Sequence, residues 1–230
     1  MGGDNSPYAT LNGAYLASQY LGDEETIVLV GDEKLAKSWF KSNNIDTSVF
    51  EFIHADEVIS MNEHATKALR KKPNNSISVG FNALKNKEID VFSSAGNSGA
   101  MLVGSMFSIG PIKGVIRPSI TSVLPKKNGG VGLILDVGVN ADCKPDVLFQ
   151  FAILGSLFAE NVYNIQKPKV GLLNIGEEKG KGNLLTQSAF QLLEDNDDIN
   201  FVGNVEGRDL FNDKADVIVC DGFTGNVVLK

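Results

Sequence analysis

Cysteine is scarce in this chain: Cys143 and Cys220 are the only two in 230 residues. They make no C-x-x-C pair and no metal-finger spacing, so a disulfide framework is excluded and a reduced, cytoplasmic setting is expected. No apolar run reaches the roughly 18 residues that a membrane-spanning helix needs. The N-terminus lacks the basic stretch and apolar run of a signal peptide. Positive charge is in deficit, with 21 Lys and Arg against 28 Asp and Glu, a formal net charge of −7. That balance argues against general nucleic-acid binding, which wants a basic surface, and any acidic partner would need a local basic patch. Histidine is limited to His54 and His64. No G-x-S-x-G elbow exists, which removes the common serine-hydrolase arrangement.

Glycine and asparagine, in contrast, are concentrated in four short turns. These are Met1-Gly2-Gly3-Asp4-Asn5-Ser6-Pro7, Ser93-Ser94-Ala95-Gly96-Asn97-Ser98-Gly99, Asn174-Ile175-Gly176-Glu177-Glu178-Lys179-Gly180-Lys181-Gly182-Asn183 and Asp221-Gly222-Phe223-Thr224-Gly225-Asn226. Each sits where a buried strand is expected to hand over to a helix. Glycine lets the backbone turn tightly and approach a ligand, and a helix N-terminus offers unpaired N–H groups with a positive dipole end. Four such turns in one chain point to an anion site at one end of a sheet.

The pattern alternates β-branched apolar runs with helical stretches. Strands are expected at 26–30, 48–53, 89–93, 119–124, 132–137, 170–174, 199–202 and 217–220, and helices at 6–20, 34–41, 64–72, 76–87, 98–109, 146–163 and 184–195. A further helix begins near Phe223. Ser6 is expected to cap the first helix, with Pro7 as its first residue. Strands separated by helices imply βαβ units and a three-layer α-β-α, Rossmann-like fold with a mainly parallel sheet, whose ligands collect beyond the carboxyl ends of the strands. The loop Pro125-Lys126-Lys127-Asn128-Gly129-Gly130 is expected to join two strands as a hairpin, giving some antiparallel character. No repeat or low-complexity linker is visible.

Familiar motifs fail on inspection. Gly96-Asn97-Ser98-Gly99 lacks the G-x-G-x-x-G spacing of a dinucleotide fold, and Lys181 is followed by Gly182 where a P-loop needs Ser or Thr. Cys220 closes an apolar strand and reads as a small buried hydrophobe. Cys143 lies in a polar turn, where a reactive thiolate is conceivable but unmotivated. Asp136, Asn140 and Asp142 are close enough to hold a hard cation by oxygen. Hydrogen bonding to their own turn is the stronger reading, and no metal or other cofactor is expected. His54 reads as structural. His64, beside Glu63, reads equally as a helix-start residue and as a substrate contact or proton donor.

Taken in order, the motifs closely resemble the phosphate acyltransferase family called PlsX. The resemblance is carried by Met1-Gly2-Gly3-Asp4-Asn5 with Pro7, Val30-Gly31-Asp32, His64 with Lys67-Ala68-Leu69-Arg70, and Ser94-Ala95-Gly96-Asn97-Ser98-Gly99-Ala100. It continues through Arg117-Pro118, Leu124-Pro125, Asp136-Val137-Gly138 with Asn140, Asp142-Cys143-Lys144-Pro145 and Gln150-Phe151-Ala152. Later come Gly171-Leu172-Leu173-Asn174-Ile175-Gly176-Glu177-Glu178, Gly182-Asn183, Gly203-Asn204-Val205-Glu206-Gly207-Arg208-Asp209 and Cys220-Asp221-Gly222-Phe223 with Gly225-Asn226. Ala65 stands where the family usually has Pro, and Val139 where it more often has Ala. The resemblance implies one α/β domain over residues 1–230, with the family's first strand and a C-terminal segment lying outside it. It also implies a homodimer, contact with the cytoplasmic face of a membrane, and a downstream acyltransferase as partner.

The implied activity is transfer of a long acyl chain from acyl carrier protein to inorganic phosphate, giving acyl phosphate for phospholipid synthesis. Phosphate is the nucleophile, so the tasks are holding an anion near a thioester and stabilising the tetrahedral oxyanion. On that basis the backbone of Gly96, Ser98 and Gly99, with the Asn97 side chain, is expected to cradle the anion. Arg117, Lys181 and Arg208 would supply positive charge. Asn140, Asn183 and Asn226, with the turn at Gly176, would add donors, and His64 would move a proton or bind phosphate. The competing reading of Arg208 is a bridge between neighbouring carboxylates. An acidic carrier would meet Arg70, Lys71 and Lys72 or Lys126 and Lys127. The competing readings are a phosphate acetyl- or butyryltransferase using short acyl-CoA, a decarboxylating hydroxy-acid dehydrogenase, and a non-catalytic anion-binding scaffold.

Overall fold

A computed structural model describes residues 2–230; Met1, the first residue of the first glycine turn, lies outside the described residues. The chain forms two compact units, Met1–Pro111 and Ile112–Lys230. Both are α/β, as the alternating pattern implies, and among the described residues no helix is long and apolar enough to cross a membrane.

The first unit runs α1 (Tyr8–Ser18), β1 (Ile27–Gly31), α2 (Glu33–Ser42), a 3₁₀ turn (Thr47–Val49), β2 (Phe50–His54), α3 (Ala65–Lys71), α4 (Ser76–Lys85) and α5 (Ser98–Ser108). β1 and β2 pair in parallel with Ile27 opposite Phe50. Side-chain caps start several of these helices: Asp32 accepts from the Leu35 N–H, and Asn75 from those of Ile77 and Ser78. Leu11, Leu29, Ala36, Phe40 and Phe50 form one core cluster, with Phe40 stacked on Phe50 at 4.8 Å. Ile59, Ala68, Ile77, Phe81 and Ala100 form a second, which holds α3, α4 and α5 together.

Two expectations change here. Residues 89–93 make no ladder: Val91 is 80% exposed, and Phe92 turns edge-on to Phe81 with ring centroids 5.0 Å apart. An apolar run becomes a strand only where a partner satisfies its backbone, and none among the described residues does so. At the first helix Ser6 does not cap; Pro7 takes the cap position and the helix begins at Tyr8.

The second unit runs β3 (Thr121–Pro125), β4 (Val131–Leu135), α6 (Pro145–Tyr163), β5 (Val170–Leu173), α7 (Leu184–Glu194), β6 (Phe201–Val205), a 3₁₀ turn (Gly207–Asp209), β7 (Val217–Val219) and α8 (Gly222–Leu229). Its five-stranded sheet has the order β3-β4-β7-β5-β6. Only the β3–β4 hairpin is antiparallel, closed by the turn in which Lys126 donates to Gly130 O at 2.9 Å. β4, β7, β5 and β6 pair in parallel.

Strand alternation explains why these runs are apolar throughout. Leu133, Leu135, Val217 and Val219 point into a core with α6 and α7, while Ile134 and Ile218 point into another with Leu173, Val205, Leu210 and Cys220. A sheet covered on both faces has no side left for water. The connections from β4, β5 and β7 into α6, α7 and α8 therefore all emerge at the carboxyl ends of parallel strands.

Candidate active site

Two of the four glycine turns lie in each unit. In the second unit, three helix starts surround one cleft of about 610 Å³, lined by Ala141, Asp142, Cys143, Asn183, Leu185, Asp221, Phe223 and Thr224. Ala141 to Cys143 lead into α6, Asn183 caps α7, and Asp221 caps α8. Asn183 accepts from the Thr186 N–H and Asp221 from the Thr224 N–H, each at 2.9 Å. The N–H groups of Leu184, Leu185 and Phe223 donate to nothing among the described residues. Unpaired donors at converging positive dipole ends suit a phosphate or an oxyanion.

A buried carboxylate holds this end of the sheet together. Asp136 is fully buried, and its oxygens accept from the Ile120 N–H at 3.0 Å, the Asn140 N–H at 2.6 Å and the Asn140 amide at 2.8 Å. Asn140 also donates to Pro118 O at 2.9 Å, and its carbonyl accepts from the Gly222 N–H at 2.8 Å. Both amide hydrogens of Asn140 are thus spent on the protein, and it joins the 118–120, 136–140 and 221–226 segments. The Asp and Asn of this turn bond their own turn, as the stronger sequence reading had it.

Glycine is required where α8 meets that turn. A Cβ on Gly225 would lie 1.9 Å from Asp136 O, and one on Gly138, at φ +125°, would lie 2.4 Å from Asn226 Nδ2. The Asn226 side chain makes no hydrogen bond among the described residues, which leaves a free amide beside the 136–140 turn. Arg117 Nη1 donates to Asp142 O at 3.0 Å, which sets a guanidinium against the segment that lines the cleft.

The 174–183 loop is held by amides. Asn174 Nδ2 donates to Lys181 O and to Asn204 Oδ1, both at 3.1 Å, and buried Asn204 donates to Glu178 O at 2.9 Å. Gly176 is buried in this loop, while the Lys181 ammonium is exposed, 4.0 Å from a Glu178 oxygen. Arg208 pairs with Glu206 and, at 3.5 Å, with Glu177, while Lys214 bridges Glu177 at 2.8 Å and Asp209 at 3.1 Å. Arg208 bridges carboxylates, which was its competing reading. The carboxylates of Glu177, Glu206 and Asp209 also lie close enough together for a cation, but two side-chain cations already sit among them.

In the first unit the two glycine turns touch: a Cβ on Gly2 would lie 2.5 Å from the Gly96 Cα. Asn97 caps α5 by accepting from the Ala100 N–H at 3.0 Å. Its amide donates to the carbonyls of Ser60, Met61 and Glu63 at 3.2, 3.1 and 3.0 Å. The Asn97 side chain is therefore engaged at both ends, whereas the N–H groups of Ser98 and Gly99 have no partner among the described residues. Exposed His64 stands at the cap position of α3 without capping it. A Cβ on Gly99 would touch the Ala65 Cβ at 3.5 Å, so the two helix starts lie side by side.

The basic residues divide sharply. Lys72 is tied to Glu63 at 2.7 Å and to Val58 O at 2.6 Å. The Lys126 side chain is only 7% exposed, drawn onto Asp216. Arg70, Lys71 and Lys127 remain exposed, and their side chains make no ion pair or hydrogen bond among the described residues.

The surroundings of both cysteines favour the protonated thiol. Burial, with the charges of Asp221 and Asp136 beside it, pushes the Cys143 thiol up to about 11 against a smaller opposing pull from Arg117. Burial raises Cys220 further still. The sequence placed unpaired N–H groups at the helix starts after the third and fourth turns; what it did not name are the individual donors, Leu184, Leu185 and Phe223.

A family model described as "Fatty acid synthesis protein" matches residues 1–230. The chain is 48% identical over 231 residues to a phosphate acyltransferase of Halothermothrix orenii, covering all of this chain and 69% of that protein. It is 49% identical over 230 residues to a phosphate acyltransferase of Acetivibrio thermocellus, covering all of this chain and 67% of the relative. Among solved structures, a branched-chain phosphotransacylase from Enterococcus faecalis V583 has a TM-score of 0.67 at 13% identity, covering 100% of this chain and 80% of that one. The EutD phosphotransacetylase from Staphylococcus aureus has a TM-score of 0.63 at 16% identity, covering 97% and 78%. At such identities these two structures speak for the fold alone.

Proposed function

The chain belongs to the fatty acid synthesis protein family, with phosphate acyltransferases among its relatives, and we propose that it transfers a long-chain acyl group from acyl carrier protein to inorganic phosphate. The observation that carries this reading is the cleft lined by Leu185 and Phe223, whose N–H groups are unpaired among the described residues. Phosphate attacks the thioester carbonyl, the tetrahedral oxyanion forms, and the carrier thiolate leaves. With an ordinary thiol pKa of about 8.5, that leaving group needs no strong general acid. With Cys143 and Cys220 held protonated, direct attack by phosphate needs no acyl-enzyme.

Backbone donors do most of the holding in this reading. In the first unit Ser98 and Gly99 offer donors to an anionic oxygen, and in the second unit Leu185 and Phe223 do so. Arg117, Asn183, Asn226 and Lys181 add side-chain charge and donors, and His64 handles the proton. Gly96 and Gly176 let their turns close, while Asn140 and Arg208 hold the turns in place through the bonds described above. Arg70, Lys71 and Lys127 meet the acidic carrier. The active form is a homodimer that works at the cytoplasmic face of a membrane and hands acyl phosphate to a second acyltransferase.

The test is to incubate the protein with palmitoyl-acyl carrier protein and follow free carrier thiol with and without phosphate. Phosphate-dependent thiol release with acyl phosphate as product is expected. Equal or faster turnover of acetyl-CoA would favour the short-chain reading. Phosphate binding without any turnover would favour a scaffold.

A further inference from the structure

We propose that Asn97 is a positioning residue that sets His64 against the free N–H groups at the start of α5. The inference rests on the phosphate-transfer reading above. Three carbonyls of one loop, those of Ser60, Met61 and Glu63, converge on the single Asn97 amide. The same loop is closed on itself: the Glu63 N–H donates to Ser60 O at 3.1 Å, and the Glu63 carboxylate accepts from the Ser60 N–H and from Lys72, both at 2.7 Å. His64 is the next residue in the chain. Its distance from α5 is therefore set by how the loop hangs on Asn97.

The other end of the same side chain fixes the anion donors. Asn97 Oδ1 takes the Ala100 N–H, which leaves the N–H groups of Ser98 and Gly99 pointing out unpaired. One buried side chain thus defines both the donor pair and the loop that carries the imidazole. An amide is the group that serves here, because one end must accept and the other donate. Serine or aspartate in its place keeps the helix cap. Serine is too short to reach the loop, and aspartate turns an acceptor towards three acceptors.

Asn97→Ser separates the two roles. Retained protection of α5 amides in hydrogen exchange, with faster exchange at residues 59–64, is expected in the absence of any substrate. KM for phosphate should rise by about tenfold or more, with a smaller fall in kcat, since small misplacements of reacting groups cost about that much. In a His64→Ala background the same change should cost less than about twofold, because the residue it positions is gone. Normal phosphate kinetics in Asn97→Ser, or a full additive penalty on top of His64→Ala, would overturn the inference while leaving the transfer reading intact. Absence of phosphate-dependent turnover in the unmodified protein would instead sink that reading, and this inference with it.

Discussion

At the scale of single residues, environment decides what each reactive-looking group can do. Cys143 lines the cleft, yet burial and two neighbouring carboxylates hold its thiol protonated. Cys143→Ser is therefore expected to stay within about threefold of normal turnover, whereas loss of a nucleophile costs several orders of magnitude. Asp209 shows the opposite balance. Burial alone would raise its pKa, but the Glu206 N–H, the Asn212 amide and the Lys214 ammonium outweigh it and bring the value down to about 2. A folded value below the ordinary 3.8 means a stabilising contribution that is complete above that pH and lost as pH falls through about 2. Asp209→Asn should lower the denaturant midpoint at neutral pH, and its gap from the unmodified protein should close on acidification across that window. A gap that stays constant down to pH 2 would remove Asp209 from the acid response.

At the scale of elements, close approach explains which glycines are needed. α8 lies against the carbonyl of Asp136 so tightly that a methyl group on Gly225 has no room, at 1.9 Å. Gly225→Ala should cost on the order of 3 kcal/mol or more, read as a fall in melting temperature, because the obstacle is backbone. Gly13 lies within α1 with nothing inside 4 Å of a Cβ. Gly13→Ala should stabilise by about 0.5–1 kcal/mol through helix propensity and the entropy of the unfolded chain. If both substitutions moved stability in the same direction, this packing account would be wrong. The capped starts of α5, α7 and α8 follow from Asn97, Asn183 and Asp221, residue types that prefer that position.

At the scale of the whole molecule, the charge distribution decides how the acidic carrier of the proposed reaction would approach a chain of net charge −7. Lys72 and Lys126 are spent on internal partners, so in the proposed reaction steering would fall to Arg70, Lys71 and Lys127. Replacing Arg70 and Lys71 with Glu should raise the apparent KM for acyl carrier protein about tenfold at low salt. The difference should shrink towards about 1 M salt, where the Debye length is near 3 Å. An unchanged KM would take this patch out of the encounter. Lys126→Ala should act differently, lowering stability by stranding Asp216, because it removes one partner of a largely buried pair.

The sequence by itself determined the element order apart from 89–93, the mainly parallel pairing with its single hairpin, and the helix starts apart from that of α1, because those follow from local periodicity, capping chemistry and turn residues. His64, Asn97, Asn140 and Asn183 were named as site candidates on the activity that the family resemblance implies. Only the tertiary structure decided what each side chain is free to do. Asn97 and Asn140 are spent on carbonyls 34 or more residues away in one case and 22 away in the other, while backbone groups such as those of Ser98, Gly99, Leu185 and Phe223 stay unpaired among the described residues. The run at 89–93 has every local mark of a strand and forms none, since a ladder needs a partner that no local pattern supplies. Hydrogen-bond partners and ladders are non-local, and a side chain's availability is what remains after they have been satisfied.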